Sequence, residues 1–194
     1  MERKLLVTDL DGTLLDENKL ISEPSREVLQ AWVDDGNVLA IGTGRVLSSA
    51  LAMRKALGLE SLCRYVIACN GAQIYDAGGQ ADLSGSMLFE RTIPFGVVER
   101  ILDLTEAMDV HCHTYLGPYI VARRMTQALD TYRFHMHMPL MLDEDLSNVL
   151  KMDPPLMLAI EMKDRRKLEA LQAELRERFP DEVMALFSSH RYLD

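Results

Sequence analysis

Three short apolar runs, Leu5 to Val7, Asn37 to Gly42 and Tyr65 to Cys69, are separated by stretches of helical periodicity, and this alternation constrains the fold more than anything else in the chain. Val28, Leu29, Trp32 and Val33 make one apolar helix face, opened by Ser22 and Pro24 and stopped by Gly36. Leu47, Leu51 and Leu57 belong to a second helix ending at Gly58. Crossovers of this length join parallel neighbours, so the first part of the chain reads as a parallel, doubly wound α/β sheet with Leu5, Leu6 and Val7 in a strand buried on both faces.

After residue 72 the pattern changes. Ile74-Tyr75 and a Gly78-Gly79 turn suggest a hairpin, and Phe89 to Ile93 a strand leading outward. Val97, Val98, Ile101, Leu102, Thr105 and Met108 have helical spacing, whereas Val110 to Leu116 and Tyr119 to Arg123 alternate around Gly117-Pro118 as a strand pair. Met125 to Phe134 reads as a short helix and Leu156 to Met162 as a strand. Asp164 caps a helix that Pro180 stops, and Val183 to Ser188 and Arg191 onward read as two closing strands. The expected organisation is a core over residues 1–82 and an α+β module over residues 83–194, its antiparallel sheet covered by helices on one side.

A net charge of −9 and a pI near 5.0 argue against nucleic acid or an anionic membrane as a partner bound through a basic face. No run approaches the ~20 apolar residues of a membrane helix. Cys63, Cys69 and Cys112 are odd in number and show no short-range pairing, as expected for reduced thiols in a cytoplasm.

The chemistry is concentrated where the first run ends, at Asp9-Leu10-Asp11-Gly12-Thr13. Ligands of an open α/β sheet sit at the carboxyl ends of its strands. Two carboxylates spaced by one residue converge on a small volume, where a cation relieves their repulsion and holds a phosphate opposite one of them. An Asp-rich turn is the plain alternative. A calcium loop counted from Asp9 is excluded, because Thr13, Leu14 and Leu20 occupy positions that need an oxygen ligand, a glycine and a glutamate. Thr43, ending the second run, offers a hydroxyl and backbone N–H groups near a helix start; the alternative is a simple helix cap. Gly42-Thr43-Gly44 is a poor dinucleotide fingerprint, since the third glycine would fall at Leu47.

Together, Asp9 to Thr13, Thr43-Gly44-Arg45 and Asn70-Gly71-Ala72, each following an apolar run, resemble the haloacid dehalogenase superfamily, most closely its Cof-type sugar-phosphate phosphatases. The resemblance covers essentially the whole chain. It implies a Rossmann-like core sheet, here incomplete, with an α+β cap domain inserted after the third strand. By this resemblance Asp9 is the nucleophile that becomes an aspartyl-phosphate, and Asp11 is general acid to the leaving group, then base to water. Mg²⁺ would be held by Asp9 and Asp11, the latter through its backbone carbonyl. Leu10, Gly12, Thr43, Gly44, Arg45 and Asn70 would bind the substrate, with Thr43 and the N–H groups of Leu10, Gly12 and Gly44 cradling its phosphate.

The resemblance also implies a lysine after the cap and a Gly-Asp-x-x-Asn-Asp-like acidic motif. Lys151, Lys163 and Lys167 match neither, and the cap region runs to Asp194. The expectation is therefore a fragment or shortened chain with little phosphatase activity by itself. Its short core sheet would expose an edge that invites a homodimer. The leading function is Mg²⁺-dependent hydrolysis of a small phosphate ester, with a phosphomutase and a non-catalytic binding module as alternatives. His111 and His113, and again His135 and His137, have strand-face spacing, and are read as lining the cap face over the site in preference to forming a metal centre.

Overall fold

The computed structural model describes residues 2–78, 85–136 and 138–194, and the side chains of all of these except residues 135 and 136. The chain divides into two compact units, Met1–Arg91 and Thr92–Asp194. The sequence-based boundary at 82/83 lies among residues outside the description, as do Gly79 and His137.

In the first unit, β1 (Leu5–Thr8), α1 (Glu23–Asp34), β2 (Val38–Gly42), α2 (Leu47–Ala56) and β3 (Cys63–Ala68) follow the expected alternation, and β4 (Gln73–Asp76) and β5 (Ser86–Glu90) complete a five-stranded sheet in the order β1-β2-β3-β4-β5. β1, β2 and β3 are parallel, whereas β4 and β5 pair antiparallel, so the sheet is mixed. The helix boundaries follow local chemistry. Ser22 caps α1 by accepting the Ser25 N–H (3.3 Å), and Gly36 ends it at φ +81°. Leu29 of α1 and Met53 of α2 meet Leu39 and Ile41 in one core that also takes in Leu10 and Leu15.

Contrary to expectation, β1 is not buried on both faces: Leu5, Leu6 and Val7 are 61%, 37% and 45% exposed. Two causes act together. β1 is the last strand of the sheet, and the parallel strands advance in one direction only, which with right-handed crossovers sets α1 and α2 on the same face. Among the described residues the sheet is therefore singly, not doubly, wound. The face shared by Leu5 and Val7 with their partners Val38 and Ala40 is the one opposite those helices.

The second unit contains α3 (Phe95–Ala107), β6 (His111–Leu116), β7 (Tyr119–Ala122), α4 (Gln127–Met136), β8 (Leu140–Leu142), α5 (Ser147–Met152), β9 (Leu158–Glu161), α6 (Arg165–Arg178) and β10 (Tyr192–Leu193). Its sheet order is β10-β9-β6-β7-β8, antiparallel throughout except for the β7–β8 pair. Asp164 caps α6 as expected, accepting from the N–H groups of Arg166 and Lys167.

Two readings of this unit are corrected. Helices cover both faces of its sheet: Val121, Leu158 and Ile160 pack with α3, α5 and α6, whereas Ile120 and Ala122 pack with Leu129 of α4. The reason lies in β7, where Ile120, Val121 and Ala122 are consecutively apolar and so need cover on either side. Val183 to Ser188 is not a strand; its one pairing is an isolated bridge from Phe187 to Leu193.

Candidate active site

β1 ends at Thr8, and the chain turns through Asp9 to Thr13 with Gly12 at φ +79°, the left-handed region that glycine enters freely. Leu10 is fully buried and Leu15 nearly so, and the N–H groups of Leu14 and Leu15 close the loop onto the carbonyls of Asp9 (3.2 Å) and Leu10 (2.9 Å). The apolar side chains between and after the aspartates thus pin the loop from below. Asp9 and Asp11 are left on its outer side, Asp9 exposed and Asp11 half-buried. The Leu10 N–H donates to Asp9 Oδ1 (2.8 Å), so here it serves the carboxylate.

Thr8 is in register with Ile41 on β2, which brings the turn after β2 beside the Asp9 turn. Thr43 is buried, and its Oγ1 accepts the Arg45 N–H (3.3 Å). The N-cap of α2 is Val46, so Thr43 shapes a turn of its own and does not cap the helix. Gly44 lies close against its neighbour: a methyl there would come within 2.8 Å of Asn70 Oδ1. After β3, Cys69 and Asn70 both take positive φ (50° and 53°), uncommon for non-glycine residues and characteristic of functional loops. The N–H of Cys69 donates to the Arg45 carbonyl (2.9 Å) and that of Asn70 to the Thr43 carbonyl (3.3 Å).

Arg45 joins the first two turns. Its Nε donates to Asp11 Oδ2 (2.7 Å) and its Nη2 to Asp11 Oδ1 (3.0 Å), a two-pronged pair, while Nη1 reaches Ser49 (3.2 Å). Lys19 adds a second cation, its Nζ 2.7 Å from Asp11 Oδ1. The Arg45 hydrogen bonds, helped by Lys19 and opposed by partial burial, hold the Asp11 carboxyl down at about 2. Sequence reasoning did not single out Lys19. Its signal was Asp16, whose carboxylate accepts the N–H groups of Asn18 (2.9 Å) and Leu20 (2.8 Å) and folds the segment back toward Asp11.

Asp9, Leu10, Asp11 and Gly12 therefore lie in one turn, Thr43, Gly44 and Arg45 in the next, and Asn70 in the third, all at the carboxyl ends of parallel neighbours. The donor set suits a hard divalent cation of the Mg²⁺ kind. Carboxylate and carbonyl oxygens are its preferred ligands, and Mg²⁺ commonly takes only one or two carboxylates, leaving its other positions to water and phosphate. Among the described residues no group of three or more His, Cys, Asp or Glu forms a metal cluster; His137 and the side chain of His135 lie outside those residues. His111 and His113 are instead buried inside the second unit and hydrogen-bonded to each other (2.8 Å), with His111 at the wall of a small pocket beside Arg124 and Thr126.

Residues 6–194 match the haloacid dehalogenase-like hydrolase family, and the chain belongs to it. A 5-amino-6-(5-phospho-D-ribitylamino)uracil phosphatase of Bacillus subtilis (strain 168), YitU, is 30% identical over 155 residues, which are 79% of this chain and 49% of that protein. The chain thus spans about half the length of this curated relative. Among solved structures, a haloacid dehalogenase-like hydrolase from Bacteroides thetaiotaomicron superposes with a TM-score of 0.77 at 24% identity, over 99% of this chain and 70% of that one. A Thermotoga maritima protein superposes with a TM-score of 0.73 at 26% identity, over 100% of this chain and 68% of that one. The α/β fold is that of the family, and no helix among the described residues is long and apolar enough to cross a membrane.

Proposed function

We propose that this protein acts as a Mg²⁺-dependent phosphomonoester hydrolase on a small phosphorylated metabolite, working through Asp9. The observation that carries the reading is the convergence of the Asp9–Gly12 turn with the Thr43–Arg45 turn, tied by the two-pronged Arg45–Asp11 pair. Asp9, exposed and oriented by the Leu10 N–H, attacks phosphorus, and the bond to the ester oxygen breaks. Asp11 must first take up a proton as its pairs with Lys19 and Arg45 open; it gives that proton to the leaving alkoxide, then takes one from the water that attacks the aspartyl-phosphate, releasing inorganic phosphate and restoring Asp9. Thr43, Gly44 and Asn70 hold the phosphoryl oxygens. The Asp9 carboxylate and the Asp11 carbonyl would hold a bound Mg²⁺, which would supply charge neutralisation on the phosphoryl oxygens.

The YitU phosphatase takes its name from a substrate bearing a phosphate on a ribityl arm. A sugar or polyol phosphate is accordingly the substrate class proposed here, in a reducing cytoplasm consistent with three free cysteines. Turnover of a panel of sugar and polyol phosphates, with Asp9→Asn as control, tests the reading. Mg²⁺-dependent release of phosphate that Asp9→Asn reduces by ~10³-fold or more supports it; release that survives Asp9→Asn contradicts it.

A second reading, a phosphate-binding module without turnover, is favoured by one observation: Asp11 has both carboxylate oxygens engaged by cations and is held ionised, the wrong form to donate a proton. Phosphate binding with no turnover of any panel member would select it.

A further inference from the structure

Lys19 reaches Asp11 by an unusual route. The segment from Asp16 to Leu20 is tightly folded: Asp16 N–H donates to the Leu20 carbonyl (2.9 Å), Lys19 N–H donates to the Asp16 carbonyl (3.0 Å), and Lys19 itself sits at φ +61°. A left-handed conformation costs a residue with a side chain free energy that glycine would avoid. The loop carries a lysine there nonetheless, with its Nζ 2.7 Å from Asp11 Oδ1. The same carboxylate also accepts from Arg45, from a different turn, at Oδ2 (2.7 Å) and at Oδ1 (3.0 Å). Asp11 is thus held by two cations from two segments, both of which reach Oδ1.

We infer that Lys19 is a positioning residue of the aspartate turn: it fixes the Asp11 carboxylate between itself and Arg45, and its ammonium competes with a divalent cation for the same carboxylate-rich loop. This rests on the reading of that turn as a phosphoryl-transfer site. The Lys19 side chain is 56% exposed, so the competition is of the modest size expected for a partly solvated pair.

The test is calorimetric titration of Mg²⁺ into the whole chain at low salt. Lys19→Met is expected to tighten Mg²⁺ binding about two- to fivefold, the range of an exposed ion pair. The gain should vanish near ~1 M salt, where the screening length falls to about 3 Å. Lys19→Arg, which keeps the charge, should bind Mg²⁺ as the parent does. Lys19→Gly should reproduce the gain of Lys19→Met while relieving the backbone, separating charge from loop strain. Unchanged or weaker Mg²⁺ binding by Lys19→Met, with Asp9→Asn abolishing binding, overturns the inference alone. Mg²⁺ binding indifferent to Asp9→Asn and Asp11→Asn overturns the phosphoryl-transfer reading and this inference with it.

Discussion

At Gly12 the backbone φ is +79° and no atom lies within 4 Å of where a Cβ would stand, so a methyl there would meet no neighbour and only the backbone would resist. Gly12→Ala should therefore destabilise the chain by about 1–2 kcal/mol, read as a shift in the urea midpoint at constant slope. Gly44 is the converse case. Its added methyl would press on the amide tip of Asn70, a side chain able to turn away. Gly44→Ala should leave the urea midpoint within ~1 kcal/mol of the parent yet weaken phosphate binding measured by calorimetry. Arg54 is a third kind of residue, buried with no carboxylate hydrogen-bond partner among the described residues, its guanidinium donating to the carbonyls of Cys63, Glu60 (2.9 Å) and Gly78 (2.9 Å). Arg54→Met should cost about 2–3 kcal/mol or more, because it leaves buried carbonyls without donors. The sequence marked Asp9, Asp11, Gly12, Thr43 and Gly44 because short-range spacing and turn chemistry carry that information. It did not mark Arg54 or Lys19, whose partners are set by how irregular loops fold back and not by a spacing motif.

At the scale of elements, β6 reads His111-Cys112-His113-Thr114-Tyr115, and strand alternation sends the two histidines and the tyrosine to the side covered by α4. There His111 is hydrogen-bonded to Thr126 (3.0 Å) and His113 (2.8 Å), His113 to Tyr115 (3.0 Å), and Tyr115 to Tyr132 of α4 (2.7 Å). Burial pushes the histidines down from 6.5, His111 to about 4 and His113 to about 3, with Arg124 and His111 respectively adding to the effect. The folded chain keeps both neutral while the unfolded chain protonates them below 6.5, so stability is full above that pH and falls as the pH drops toward 4 and then 3. Each histidine contributes a slope of up to about 1.4 kcal/mol per pH unit in that window. His113→Gln should flatten the decline between pH 6.5 and 4 in urea titrations, and an unchanged slope would contradict the account. The His-x-His spacing was visible in the sequence, but it gives only a shared face; whether that face meets solvent or a helix is decided by α4, an element distant along the chain.

At the scale of the whole molecule, the parallel strands were legible because apolar periodicity and helix punctuation report them directly. The burial of β1 was not, because an apolar run looks the same at the centre of a sheet and at its edge. Leu5 and Val7 lie opposite Val38 and Ala40, and further along the same sheet face Ile67, Ile74 and Phe89 follow from strand to strand, with Phe89 46% exposed. An apolar face of this kind binds hydrophobic dyes and promotes association. Replacing Leu5 and Val7 together by threonine should cost less than ~1 kcal/mol and lower dye binding, measurable by fluorescence and sedimentation; a large loss of stability would mean that these side chains are buried after all. The central claim is that Asp9 accepts a phosphoryl group, and it is tested most directly by fluorine NMR of the whole chain with Mg²⁺ and beryllium fluoride, which mimics a phosphoryl group on a carboxylate. The account predicts a bound signal that requires Mg²⁺ and is absent from Asp9→Asn; a bound signal that persists in Asp9→Asn would contradict it.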